Sequence, residues 1–256
     1  LDDITGFKRD TFQRAFMLDH FNVKGRRALM HERLEPFAPL RRRLLRWFDS
    51  RRPLEQRYYI EEEQFDFDER IYRLQIKGTV YLDGYWQNEK YFKDVENVIQ
   101  QDLEIIPPTD ITNVKLAKMI SSVNSVAVHV RFFDKLQLNS MRIDYYEKAI
   151  DFIMANISDP HFFLFSDDVN LARTLLPEHL KELTIVNHND TARKSYADLW
   201  LLTLCNHLII ADSTFSWWGA WLAKNNRKIV IAPGKNITNN IVWGGEKILP
   251  SSWIIL

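Results

Sequence analysis

The chain has 256 residues, 46% of them hydrophobic and 27% charged, ordinary values for one large or two modest globular domains. Its 34 basic and 34 acidic residues cancel, so no bulk charge asks for a nucleic acid or an anionic membrane. The single cysteine, Cys205, excludes an internal disulfide and a cysteine-based zinc site, and no apolar run reaches the roughly 18 residues of a membrane-spanning helix.

The chain opens on Leu1 with neither a signal nor a transit peptide, so its start gives no localisation. A helix is expected over Leu34–Phe48. It merges with a basic stretch, Leu40–Arg57, in which Leu40, Leu44, Trp47 and Phe48 make an apolar stripe flanked by arginines. Helices of that pattern can lie on membranes; the ordinary expectation is a helix packed on its own domain with its arginines in water. Arg70–Ile76 and Thr79–Leu82 read as extended. Tyr81–Tyr91 is rich in aromatic and amide groups, which stack on sugar rings and hydrogen-bond their hydroxyls. Tyr85, Trp86 and Gln87 are therefore candidates for an acceptor surface. Glu89–Leu103 has a helical apolar face of Tyr91, Phe92, Val95, Val98, Ile99 and Leu103, with Asn88 as N-cap. Pro107-Pro108 then breaks the chain, and a helix around Asn113–Ser122 leads into a second texture. We expect two units, 1–120 and 121–256.

In the second unit, Ser125–Arg131, His161–Ser166, Leu183–Val186, His207–Ala211 and Lys228–Ala232 read as strands. Between them Ile143–Ile157, Val169–Leu176, Ser195–Cys205 and Ser216–Lys224 have helical spacing. Strand–helix alternation predicts a parallel sheet covered on both faces.

Three constellations in this unit can carry chemistry. Alternation along Ser125–Arg131 sends Val126, Val128 and Val130 to one face and Ala127, His129 and Arg131 to the other, so His129 and Arg131 project together at a strand end, where parallel sheets hold ligands. Arg131 can grip a phosphate with two parallel hydrogen bonds, or only close the strand with Asp134 or Asp167. The run 211–222, ADSTFSWWGAWL, leads from a strand through Ser213, Thr214 and Ser216 into a helix. Its N-terminus suits a phosphate, unless the hydroxyls simply cap it. Phe215 stands at the turn, where it can touch a base or sugar, and Trp217, Trp218 and Trp221 read as core. Asp167-Asp168 follows a strand; Asp168 fits an N-cap, and no metal is expected. Asp198 sits among apolar residues and needs a partner, which a guanine edge or a buried arginine would supply. Sequons at Asn156 and Asn236 are short enough to arise by chance.

Several of these runs resemble one family. CNHLIIADSTFSWWGAWLAKNNRKIVIAP (205–233) is similar to the donor-site motif of the α-1,2-fucosyltransferases of glycosyltransferase family 11. HVRFFD (129–134), FSDD (165–168), YLDGYWQNEKYFKDVENVIQQDL (81–103), LPSSWIIL (249–256) and FMLDHFNV (16–23) resemble its other motifs, so the likeness spans nearly the whole chain. It implies an α/β, GT-B-like fold in which two Rossmann-like domains face a cleft, residues 1–120 on the acceptor side and 121–256 binding a nucleotide-sugar. It implies an inverting, metal-independent transfer of L-fucose from GDP-fucose to a galactoside, with no cofactor beyond that donor. On this resemblance Arg131 neutralises the departing pyrophosphate, His129 supports the same pocket, Asp198 reads guanine, and Ser213, Thr214, Phe215 and Ser216 surround the phosphates or base. Transfer from another nucleotide-sugar, or a non-catalytic nucleotide- or sugar-binding module, are the alternatives. The partners implied are the donor and a glycan acceptor, with no nucleic acid; the pattern of Leu40–Arg57 adds a peripheral membrane contact as one alternative, and the localisation is open, cytoplasmic or membrane-peripheral for an enzyme of bacterial type. The family's glycine-rich opening segment is not found, so family residues are expected before Leu1, and without them the molecule is expected to be inactive or incompletely folded. Phe132 replaces a second arginine and Leu171 a tryptophan. The catalytic base is open among His20, His31, Asp83 and Glu89.

Overall fold

A computed structural model describes residues 15–132, 140–178, 180–189, 191, 193–234 and 245–256. In the first half, helix α1 spans Ala38–Asp49, starting later than expected because Pro36 and Pro39 can donate no helical N–H and only Pro39 fits a first turn. Its packed face is Ala38, Arg42, Leu45 and Asp49, while Leu40, Leu44, Trp47 and Phe48 are between 48% and 58% exposed. The helix packs on its own domain with Arg41 and Arg43 in water, as expected, but the face it packs is not the apolar stripe. Polar bonds set its rotation: the buried Asp49 carboxylate accepts the N–H groups of Tyr58 and Tyr59, each at 2.8 Å. Arg46 bonds the Tyr59 hydroxyl at 3.0 Å and Asp83 at 3.1 Å.

Strand β1 (Tyr59–Glu61) pairs in parallel with β2 (Tyr81–Asp83), and α2 (Glu69–Tyr72) lies between them in sequence. The extended reading of Arg70–Ile76 fails because Asp68 caps α2, its carboxylate accepting the Arg70 N–H at 2.9 Å. The single helix expected over Glu89–Leu103 is broken as well. Two 3₁₀ turns, Glu89–Tyr91 and Lys93–Val95, precede α3 (Glu96–Asp102), because Phe92 leaves helical geometry at φ −135°. That break turns Phe92 onto Trp218 and Trp221 and leaves Val95 and Val98 exposed. Asn88 caps the first turn as expected, accepting the Lys90 N–H.

Helix α4 (Ile111–Ser122) leads into the second half, which holds β3 (Asn124–Val130), α5 (Ser140–Asn156), β4 (Pro160–Ser166), α6 (Val169–Arg173), β5 (Leu183–Val186), α7 (Ser195–Leu204), β6 (His207–Ile209), α8 (Thr214–Leu222), β7 (Val230–Ala232) and β8 (Ile254–Ile255). The six strands form one parallel sheet in the order β5-β4-β3-β6-β7-β8. Counted from the first strand of this half, that is the doubly wound order 3-2-1-4-5-6. The expected parallel α/β architecture is present, complete in the second half and with two parallel strands among the described residues of the first.

The alternation of β3 sorts its side chains as the sequence predicts. Val126, Val128, Val130 and Phe132 join Tyr146, Ile150 and Ile153 of α5 in one core. Ala127 joins Leu201 and Leu202 of α7 and Trp217 and Trp221 of α8 in the other. The tryptophans of α8 are core, as expected: Trp217 is fully buried, and its indole N–H donates to the Ile248 carbonyl at 2.9 Å. Close approach of α8 to α7 depends on Gly219, where an added Cβ would stand 3.2 Å from the Leu202 Cβ. Gly219→Val is expected to destabilise the protein by about 3 kcal/mol through overpacking, read as a lowered midpoint in urea unfolding.

Candidate active site at the switch point of the sheet

Strands β3 and β6 are neighbours, yet the chain leaves β3 toward α5 on one face and leaves β6 toward α8 on the other. A crevice opens between such strands at their carboxyl ends. His129 and Arg131 reach this crevice from β3, and Asp212 to Ser216 reach it from the turn after β6.

Arg131 is about one-third exposed, and its Nη1 pairs with Asp167 Oδ2 at 3.2 Å. The other oxygen of Asp167 accepts the Phe132 N–H at 2.9 Å, so one carboxylate closes the ends of both β3 and β4. Asp134, the other partner considered, lies outside the described residues. Asp168 caps α6, accepting the Leu171 N–H at 3.0 Å, as the sequence predicts. The two adjacent carboxylates are therefore committed to different bonds. Among the described residues no cluster of three His, Cys, Asp or Glu side chains has a ligating arrangement.

His129 is 5% exposed and lies against the Phe215 ring, centroids 5.5 Å apart. Burial, reinforced by the charge of Arg131, pushes its imidazole down to about 3, so it is neutral near pH 7. Its buried Nδ1 has no hydrogen-bond partner among the described residues. Neutral His129 can accept or donate one hydrogen bond to a ligand, but it adds no positive charge.

The hydroxyls of ADSTFS do not behave as plain caps. Ser213 occupies the N-cap position of α8 without a side-chain capping bond, and the Ser216 hydroxyl donates to the Ser213 carbonyl at 3.3 Å. The first N–H groups of α8 are thus left without a hydroxyl cap at the crevice, with Thr214 and Phe215 half-buried beside them. The sequence singled out this turn but not Asp212, which is fully buried within it and helps raise the pKa of Tyr145 on α5, behind burial and Tyr146.

Asp198 lies in the first turn of α7, at the same carboxyl rim of the sheet because α7 follows β5. Its partner within the described protein is an amide, not the buried arginine that was one of the two expected. Asn189, just beyond β5, donates to Asp198 Oδ1 at 2.8 Å and exchanges amide bonds with Asn113 of α4, each at 3.0 Å. His188 meets the same Asn113 carbonyl at 3.0 Å. Burial pushes Asp198 up to about 7 against the lowering effect of Asn189. The second carboxylate oxygen has no hydrogen bond among the described residues and is open to a donor. Sequence reading missed Asn189 and Asn113; the polar run Asn187–Asn189 directly after a strand was the available signal.

Tyr85, Trp86 and Gln87 belong to a different element. The backbone N–H groups of Tyr85 and Trp86 donate to Glu62 at 2.6 and 3.1 Å, and the next residue, Asn88, donates to the Lys247 carbonyl at 3.0 Å. Trp221 donates to Glu89 at 3.4 Å, so this segment is docked along the flank of α8 rather than at the strand ends themselves. Gln87 is buried with its Nε2 unpaired among the described residues, and Tyr85 is half exposed. Of the candidate bases, Asp83 is tied to Arg46 and the Tyr59 hydroxyl, Glu89 to Lys93 at 3.6 Å, and His20 stacks on Tyr196 at 3.6 Å. Of the sequons, Asn156 lies in α5 with its amide bonded to the Phe152 carbonyl, and Asn236 lies outside the described residues.

A six-stranded doubly wound sheet whose switch point gathers an arginine and a helix N-terminus places this chain in the class of Rossmann-type α/β proteins. Comparison with known proteins narrows that class. The chain belongs to glycosyltransferase family 11, whose model, "Glycosyl transferase family 11", matches residues 6–255. It is 29% identical over 240 residues to the Escherichia coli alpha-1,2-colitosyltransferase, covering 90% of this chain and 80% of that protein. It is 28% identical to the Escherichia coli O-antigen biosynthesis glycosyltransferase WbnK, covering 79% of this chain and 69% of that one. The human galactoside alpha-(1,2)-fucosyltransferase 1 is 30% identical over 105 residues, which are 38% of this chain and 28% of the human protein. Among solved structures, Arabidopsis thaliana FUT1 mutant R284K in complex with GDP matches with a TM-score of 0.40 at 13% identity, over 68% of this chain and 50% of that chain. The protein is a glycosyltransferase.

Proposed function

We propose that this glycosyltransferase moves L-fucose from GDP-fucose to a galactoside in an inverting, α-1,2 transfer that needs no metal. The observation that carries the reading is the switch-point crevice, where Arg131 and the first turn of α8, whose N-cap Ser213 makes no side-chain capping bond, converge from neighbouring strands. A guanidinium and a helix N-terminus together stabilise the negative charge that grows on a leaving diphosphate. On this reading residues 121–256 form the donor side, residues 1–120 the acceptor side, and Tyr85, Trp86 and Gln87 part of the acceptor surface. Arg131 exchanges Asp167 for the pyrophosphate, neutral His129 positions it, Asp198 receives guanine N–H groups, and Ser213, Thr214, Phe215 and Ser216 surround phosphates or base.

One observation favours a second donor. The colitosyltransferase match extends over 90% of this chain, and colitose is L-fucose without its 3-hydroxyl. A GDP-linked 3-deoxy sugar is therefore the competing substrate.

The test is GDP release by the purified protein with each donor and a set of galactosides, with and without excess EDTA, and NMR of the product linkage. Release from GDP-fucose in EDTA, with inverted anomeric configuration, is the expected result. Release only from the 3-deoxy donor selects the second reading. Tight GDP binding without any release would make the chain a binding module, and loss of activity in EDTA would return Asp167 and Asp168 as metal ligands.

A further inference from the structure

Helix α1 is turned inside out relative to its own pattern. Amphipathic helices bury their apolar stripe, yet here Ala38, Leu45 and Asp49 face the protein while Leu40, Leu44, Trp47 and Phe48 face away from it. The stripe is not diluted by charge but bordered by it. On the helical wheel Arg43 flanks it on one side and Arg41 on the other, and neither makes an ion pair among the described residues. At its C-terminal end the Arg51 guanidinium lies 3.8 Å from the centre of the Trp47 ring. Residues 38–58 hold seven arginines and two acidic residues in a chain whose total charge is zero. Four of these arginines lie on α1 and three in the segment just after it, so the basic charge is concentrated on the helix and its C-terminal continuation.

From this juxtaposition we infer that α1 is an interfacial helix that seats the protein on an anionic lipid bilayer. Leu, Phe and Trp side chains enter the boundary between headgroups and acyl chains, and the bordering arginines stay level with the phosphates. Charge selects this occupant over a second copy of the chain. Pairing two such stripes would set arginine rows against each other, whereas an anionic surface neutralises both rows at once. Each arginine close to such a surface strengthens binding by roughly fivefold.

Co-sedimentation of the whole protein with phosphatidylglycerol–phosphatidylcholine vesicles, and with phosphatidylcholine alone, tests the assignment. The expected result is binding to the anionic vesicles that fades as salt approaches about 1 M, where the Debye length is near 3 Å. The variant L44D/W47D should weaken that binding at least about tenfold, and R41E/R43E by a similar factor. Both sets of side chains are exposed, so the thermal midpoint should stay unchanged, which separates a lost surface from a lost fold. Absence of vesicle binding overturns the inference. So does binding that L44D/W47D leaves intact, or a dimer that the same variant dissolves in the absence of lipid. None of these readouts depends on which sugar is transferred.

Discussion

Arg131→Ala is expected to lower kcat/KM for sugar transfer by about 1,000-fold or more, with the protein still folded. A guanidinium placed where charge develops contributes through the transition state, and losing one such donor typically costs roughly 100- to 1,000-fold. An arginine serving a phosphoryl group can be worth more still. The fold is expected to survive the change. Its pair with Asp167 is partly exposed on both sides, a class of interaction worth about 0–1 kcal/mol, and Asp167 keeps its bond to the Phe132 N–H. Arg131→Lys keeps the charge but loses the planar two-pronged grip, so an intermediate rate is expected. Steady-state kinetics beside a urea unfolding curve read both halves of the prediction. An active Arg131→Ala enzyme would remove this residue from the site.

Asp198 makes the second large effect one of pH. Its ionised carboxylate is the form that accepts guanine N–H groups, and burial holds the acid at about 7. GDP should therefore bind roughly tenfold more weakly at about pH 6 than at about pH 8, since a bound ligand that favours the ionised form must first remove the proton. The same shift acts on stability with a defined sign. The folded pKa lies above the unfolded one, so the protonated acid favours the native state at low pH, and that contribution is lost as pH rises through 7. Asp198→Asn keeps the acceptor that Asn189 needs and removes the buried charge. It is expected to raise the thermal midpoint at about pH 8 while abolishing GDP binding and its pH dependence. Calorimetric titration across this range checks it, and a flat pH profile in the native protein would place the guanine elsewhere.

Much of the site was legible because strand geometry is strict. Once Ser125–Arg131 is a strand, alternation alone puts His129 and Arg131 on one face and the valines on the other, and the two cores confirm it. Asp168 followed by an apolar helix start is likewise a local signal, answered by a local bond. What sequence could not supply were partners chosen by tertiary neighbours. The pattern of α1 reveals an apolar face but not what meets it, and a buried Asp49 bonded to two backbone N–H groups decides its rotation. The Glu89–Leu103 helix has good periodicity, yet the pull of Phe92 toward two tryptophans breaks it. Asn113 and Asn189, 76 positions apart, meet only in the fold.

The order of the sheet also bears on how the molecule forms. Parallel neighbours cannot join by a tight turn, so each pairing closes a long loop. The pairing that makes the crevice is among the most distant: the Ser125 hydroxyl accepts the Asn206 N–H across 81 positions, where β3 meets the start of β6. Closing a contact that far apart in sequence costs more chain entropy than closing the nearer β3–β4 pair. The crevice thus exists only once this long-range pairing is made. A nucleotide that occupies it binds only the finished sheet, and at 100 times its Kd would hold the native state in place by about 2.7 kcal/mol.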